Sequence, residues 1–112
     1  MSDCIFCRIA QGKAEARIVY QDEEVTAFHD LNPRAPVHVL IIPNRHIASV
    51  AEAGVEDEPV LGKLFTVACR AAEELGVTDY RLVINNGPQA GQSVFHLHVH
   101  LLGGRRMSWP PG

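Results

Sequence analysis

Cysteine is scarce in this chain. Its three cysteines, Cys4, Cys7 and Cys69, are an odd number, which argues against a secreted disulfide framework. No basic run exists: ten Lys and Arg stand against 13 Asp and Glu, a formal net charge of -3 with both signs scattered. That excludes the electrostatic footprint of a protein that grips long nucleic acid. There is no internal repeat, and no apolar stretch approaches the roughly 20 residues that a membrane span requires. The N-terminus "MSDCIFCRIA" lacks a charged lead followed by an apolar signal core, so a cytoplasmic location is expected. Against these absences stand 112 residues that are 46% hydrophobic. That is an ordinary globular composition, with one domain expected over residues 1–112 and a core large enough to need no covalent staples.

Ile5, Phe6 and Ile9 are spaced as on a short helix or turn that Gly12 ends. "ARIVYQDEEVTAFHD" predicts strands over about 17–20 and 24–29, joined by the polar turn Gln21-Asp22-Glu23. "LNPRAP" is a loop punctuated by Pro33 and Pro36. "VHVLIIP" predicts a largely buried strand ended by Pro43. "NRHIASVAEA" predicts a loop running into a short helix. From Pro59 to Leu75, Val60, Leu61, Leu64, Phe65, Ala68, Ala71, Ala72 and Leu75 keep a 3.6-residue period, the main helix. Asp57 is its expected N-cap, Pro59 suits its first turn and Gly76 the position past its end. Val67 falls off the main stripe, which predicts that this helix meets a second subunit. Cys69, inside it, is expected to be a small core or interface residue. "YRLVIN" predicts a strand, residues 86–93 a glycine-bearing loop, 95–102 a last strand and "RRMSWPPG" an irregular tail. The sum is an α+β domain of about five largely antiparallel strands and one main helix.

Half of the six histidines, His96, His98 and His100, occupy alternate positions in "SVFHLHVHLLGG". On a strand they share one face, roughly 7 Å apart, while Leu97, Val99 and Leu101 point into the core. Solvent faces of strands normally carry Lys, Glu or Thr, so the row asks for chemistry. Imidazole serves as metal ligand, proton carrier or nucleophile. Parallel side chains converge poorly on a single tetrahedral ion, so one or two of them would need help from elsewhere to hold a metal. The upstream loop offers the other reading. Gly91 permits close backbone approach, and backbone N–H groups with the Ser93 hydroxyl can donate to phosphate oxygens. A phosphorus held there would face an imidazole nitrogen, and in-line attack would form a phospho-histidine that water then hydrolyses.

The pattern His-x-His-x-His-x-x over 96–102, together with "FHDLNPRAPVHVLIIPNRHI" at 28–47, "DYRLVINNG" at 79–87 and "GQSVFHLHVHLLGGRRMSWPPG" at 91–112, resembles the histidine triad (HIT) family. The tail "WPPG" is particularly like the purine nucleoside phosphoramidase branch. The resemblance implies a HIT-like fold: a five-stranded antiparallel sheet with one main helix and a short helix, joined by a homodimer into a continuous ten-stranded sheet. It implies hydrolysis of purine nucleoside 5'-monophosphate derivatives, such as phosphoramidates and acyl adenylates, with release of AMP or GMP. By the same likeness His98 would be the nucleophile, His100 would hydrogen-bond the phosphate and His38 would relay protons. Asp30 would take the ribose hydroxyls. Ile5, Phe6, Ile9, Phe28 and Leu31 would line the base pocket. Asn85, Gly91, Gln92 and Ser93 would position the phosphate and leaving group, and Trp109 would reach the partner subunit's site. Read on their own chemistry, Asp30 also suits a turn, His38 a satisfied core histidine and Trp109 a docked tail. His29 receives no role and is expected at the surface.

Cys4 and Cys7 form a C-x-x-C with three readings: a redox pair, for which the thioredoxin-like context is missing, two unrelated thiols, or half of a zinc site. The family resemblance favours the last, a structural zinc held by Cys4, Cys7, His46 and His96. Two functions of other kinds compete with the hydrolase: a dinucleoside polyphosphate hydrolase of the same fold, and a non-catalytic nucleotide-binding or interaction module. A nucleotide and a second copy of the chain are the expected partners, with no nucleic acid polymer and no membrane.

Overall fold

The computed structural model describes residues 3–112; Met1 and Ser2, the start of the stretch read for a leader, lie outside them. Five strands, β1 (Ile18–Gln21), β2 (Val25–His29), β3 (Val37–Pro43), β4 (Tyr80–Val83) and β5 (Val99–Gly103), form one sheet in the order β1-β2-β3-β5-β4, every pair antiparallel. Helix α1 (Ile5–Ala10) and helix α2 (Glu58–Glu74) pack on opposite faces of it, and 3₁₀ turns occupy Val50–Glu52, Val55–Asp57 and Pro88–Ala90. This is the expected α+β arrangement, one antiparallel five-stranded sheet with one main helix and one short helix. None of its helices is long and apolar enough to cross a membrane among the described residues.

Strand alternation divides the core in two. Val39 and Ile41 of β3, with Val99 and Leu101 of β5, meet Leu64, Ala68 and Ala71 of α2. On the other face Leu40 and Ile42 meet Phe28 of β2 and Phe6 and Ile9 of α1. A strand covered on both faces reads as a continuous apolar run, which is why "VHVLIIP" looked buried. The β1–β2 turn is closed by Asp22, whose Oδ1 accepts from the Glu24 and Val25 amides at 2.8 and 2.9 Å. α2 ends in a Schellman motif: Val77 N–H donates to Ala72 O and Gly76 N–H to Glu73 O. Gly76 takes φ +75°, which a residue without Cβ adopts at no steric cost.

Several expectations need correction. The last strand enters the ladder only at Val99, not at 95. Its register pairs Ile41 with Val99, so the next rung would set Leu97 against Pro43, which has no N–H to give. Leu97 N–H instead donates to Ile47 O at 2.6 Å. β4 stops at Val83, two residues short of the predicted end. The short helix expected after Arg45 is the single turn Val50–Glu52. Asp57 stands at the N-cap position of α2 as expected, but its carboxylate makes no cap bond there: it takes the Gly54 amide at 2.8 Å and pairs with Arg45. Val67 is 3% exposed inside this chain's own core, so it gives no sign of a second subunit. Cys69 is exposed on α2, where Tyr80 Oη donates to its Sγ at 3.2 Å, and is no core residue.

Candidate active site and metal centre

A cleft of about 610 Å³ opens on the α1 face of the sheet. Expected residues from five separate segments line it: Ile5, Phe6 and Ile9 of α1, Phe28 at the end of β2, Asp30 and Leu31 just after it, His38 of β3, Gly91 and Ser93 of the loop, and His98 and His100. The one-face alternation survives although the ladder begins late: Leu97, Val99 and Leu101 lie in the α2-side core while His98 and His100 face the cleft.

Hydrogen bonds fix the imidazole tautomers. His98 Nδ1 is 2.7 Å from the His96 carbonyl oxygen. A carbonyl only accepts, so Nδ1 carries the proton and Nε2 the lone pair. The opposite state arises at His100 through a chain. The Arg34 amide donates to His38 Nδ1 at 3.0 Å, which puts the His38 proton on Nε2. That N–H donates to His100 Nδ1 at 3.0 Å, with Asp30 Oδ2 3.4 Å from His38 Nε2. Neutral His100 therefore carries its proton on Nε2. The two rings that face the cleft, with centroids 4.8 Å apart, present one nucleophilic nitrogen and one N–H donor. Burial, with His98 and His38 nearby, holds His100 down to about 4, so it is neutral at pH 7. Burial also lowers His38, against the pull of Asp30.

His38 is thus both a satisfied buried histidine and the middle of a relay. Asp30 likewise serves twice: Oδ1 closes a turn on the Asn32 amide at 2.8 Å while Oδ2 faces His38. The loop differs from the expected cradle. Gly91 and Gln92 amides are engaged inside it, by Pro88 O and Gly87 O, each at 3.0 Å. Gly91 completes that turn at φ +100°. Gln92 is buried, its amide spent on Gly87 N–H, Ala48 O and Val94 O. Ser93 is left as the loop's donor lining the cleft. Asn85 lies behind Gly91, and Trp109, 80% exposed under the Arg81 guanidinium, is not among this cleft's lining residues.

Glu15, His29, Asn32, Arg34 and Leu40 also line the cleft and went unnoticed in the sequence. Leu40 was within reach, since it shares a strand face with His38. His29 is half-buried rather than at the surface. The Arg34 amide's bond to His38 depends on loop geometry that no periodicity encodes.

Behind the cleft, one ligand atom each from Cys4, Cys7, His46 and His96 lies within 4.8 Å of all the others, close enough to hold a metal ion. His96 Nδ1 is 3.3 Å from Cys4 Sγ, 3.5 Å from Cys7 Sγ and 3.2 Å from His46 Nδ1; Cys7 Sγ is 3.3 Å from His46 Nδ1. A tetrahedral ion with two sulfur and two nitrogen ligands has edges of roughly 3.3–3.8 Å. His96 Nε2 donates to Pro43 O at 2.8 Å, which leaves the Nδ1 lone pair aimed at the cluster, as metal-bound histidines commonly give their other N–H to a carbonyl. Asp30, His38 and His100 also cluster, but there His38 Nε2 holds a proton, so that group is a relay rather than a ligand set.

A family model described as the HIT domain matches residues 11–107. Uncharacterized HIT-like proteins of Synechocystis sp. and Synechococcus elongatus are 51% and 52% identical to this chain, each covering 98% of it and 97% of the relative. A HIT family hydrolase from Legionella pneumophila superposes with TM-score 0.95 at 45% identity, over 98% of this chain and 100% of its own. Another from Clostridium thermocellum gives TM-score 0.94 at 47% identity, over 96% of each chain.

Proposed function

The chain belongs to the HIT family, and from that premise we propose that it is a hydrolase of purine nucleoside 5'-monophosphate derivatives, phosphoramidates or acyl adenylates, acting through a nucleotidyl-histidine. The observation that carries this reading is the pair of opposite tautomers, a lone pair on His98 Nε2 beside an N–H on His100 Nε2, in a cleft that has one apolar wall. The base lies among Ile5, Phe6, Ile9, Phe28 and Leu31, and Asp30 accepts from the ribose hydroxyls. His98 Nε2 attacks the α-phosphorus, forming an N–P bond as the bond to the leaving group breaks. The His100 N–H and Ser93 hydroxyl stabilise the charge on the phosphoryl oxygens. The leaving amine takes a proton from solvent water at the open cleft, and a carboxylate leaving from an acyl adenylate needs none; the proton is returned to solvent when water attacks the N–P bond. Water then cleaves the N–P bond, releasing the nucleoside monophosphate and restoring the imidazole. Gln92 acts here by holding the loop that presents Ser93, through its bonds to Gly87 N–H, Ala48 O and Val94 O, and Asn85 sits beside Gly91.

The cluster of two thiolates and two imidazoles is proposed to hold structural zinc, whose preferred donors these are, and which supplies cross-linking rather than a step of the reaction. The similarity to the HIT family hydrolases of Legionella pneumophila and Clostridium thermocellum favours the hydrolase over a bare binding module. The test is to incubate the zinc-loaded protein with adenosine 5'-phosphoramidate and with a diadenosine polyphosphate. Faster turnover of the phosphoramidate, with an adenylylated His98 peptide in mass spectra of the quenched reaction, is the expected result. Preference for the polyphosphate moves the protein to the alternative hydrolase, and absence of any adduct or turnover leaves a binding module.

We also propose a homodimer that continues the sheet. β4 is an edge strand, which presents unpaired backbone groups, and Phe65 and Phe95 are 42% and 49% exposed. The tail bearing Trp109 would then serve the partner's cleft. Sedimentation should give twice the chain mass, and a monomer at every concentration would refute it.

A further inference from the structure

We propose that Cys4, Cys7, His46 and His96 are positioning residues for the cleft: an ion bound among them latches α1 onto the sheet and sets the ring of His98. The latching of α1 stands on geometry alone; its consequence for nucleotides rests on the function proposed above. Three walls of the cleft run back to a ligand. The apolar wall is α1, only six residues long, and a helix that short does not hold itself together in water. Cys4 caps it, accepting from the Cys7 amide at 3.4 Å, and Cys7 sits within it, so both thiols bracket Ile5 and Phe6.

The reactive wall is tied through His96. Its ring joins the cluster while its carbonyl oxygen holds His98 Nδ1. Phe6 stands edge-on to both rings, with centroids 5.9 Å from His96 and 5.2 Å from His98. The loop wall is tied through the residues after His46: Ile47 O takes the Leu97 amide and Ala48 O takes Gln92 Nε2. None of the four ligands belongs to the core between the sheet and α2. Releasing the ion is therefore predicted to loosen the cleft and leave that core standing.

The test compares the zinc-loaded protein with the same protein after chelation, and with a Cys4→Ser/Cys7→Ser variant. Amide exchange is read in α1, in α2 and in the sheet, AMP binding by calorimetry, and KM and kcat for adenosine 5'-phosphoramidate. Chelation is expected to abolish α1 protection while α2 and β3 keep theirs. AMP affinity should fall on the order of tenfold or more, the loss of one apolar wall. KM should rise and kcat fall together, and zinc should restore each value. The variant should behave as the chelated protein does. Unchanged α1 protection and AMP affinity on chelation would overturn the proposal. So would failure to bind zinc, or loss of protection throughout the chain, which would make the ion a staple of the whole fold. If the zinc-loaded protein binds no AMP, the nucleotide reading fails, and α1 exchange alone still decides the latch.

Discussion

Substituting alanine for His98 is expected to cut turnover of adenosine 5'-phosphoramidate by at least about 10⁴-fold, the scale at which removal of a nucleophile acts. AMP binding should be nearly unchanged. The two effects separate because the proposed mechanism draws the attacking lone pair from His98 but seats the base and ribose against α1, Phe28 and Asp30, other linings of the cleft. The fold should survive. His98 contributes no backbone bond to the β5 ladder, which begins at Val99, and its one ring bond is to the neighbouring His96 carbonyl. Single-turnover kinetics with circular dichroism on the same sample check this. Wild-type turnover in the variant would remove the nucleophile from the mechanism, and lost ellipticity would make the ring a structural support.

The second large effect is acid sensitivity. His96 and His100 are both held down to about 4 from an ordinary 6.5, chiefly by burial. The unfolded chain takes up those two protons near pH 6.5 and the folded one only near pH 4. Between these values the unfolded state binds more protons, so stability is fully present above pH 6.5 and is lost as pH falls toward 4. At 1.36 kcal/mol per unit, each group gives an upper bound of about 3 kcal/mol, with the share of His100 reduced because the cleft admits solvent. Even half of the total is a large part of a typical 5–15 kcal/mol. A bound metal shifts the curve without reversing it, since protons compete for the same His96 nitrogen. Asp22 acts in a lower window. Burial opposes its ionisation, but Lys63, Tyr20 and the Glu24 and Val25 amides outweigh that and hold its carboxyl below the ordinary range. Its contribution is lost only below about pH 4. Thermal melts of chelated protein from pH 8 to 3.5 should show Tm dropping steeply from pH 6.5 downward. A flat Tm to pH 4.5 would contradict neutral burial, and a His100→Phe variant should recover part of the loss.

The hairpin, the buried β3 and the main helix could be read from residues in order. Each is announced by a local signal: polar turn residues after Tyr20, an unbroken β-branched run, and a 3.6-residue period between Pro59 and Gly76. The histidine face was legible for the same reason, since alternation is a property of the backbone and persists where the ladder does not. The errors fall where a distant partner decides. The late start of β5 depends on a proline across the sheet. The burial of Val67 depends on how wide a stripe of α2 the sheet covers, and the partner of the Asp57 carboxylate on Arg45 coming within reach.

By itself the sequence determined which residue types were at hand, three thiols and six imidazoles, and the periodicity that sorts them onto faces. Tertiary structure alone decided their chemical state. A backbone carbonyl accepts from His98 and so keeps its proton on Nδ1, an amide four residues back orients His38, and through it His100 gains a donor toward the cleft. Two residues separated by 92 positions, Cys4 and His96, come to 3.3 Å. Tautomers and ligand sets depend on hydrogen-bond directions and on distances of a few ångströms, and these exist only once the chain has packed.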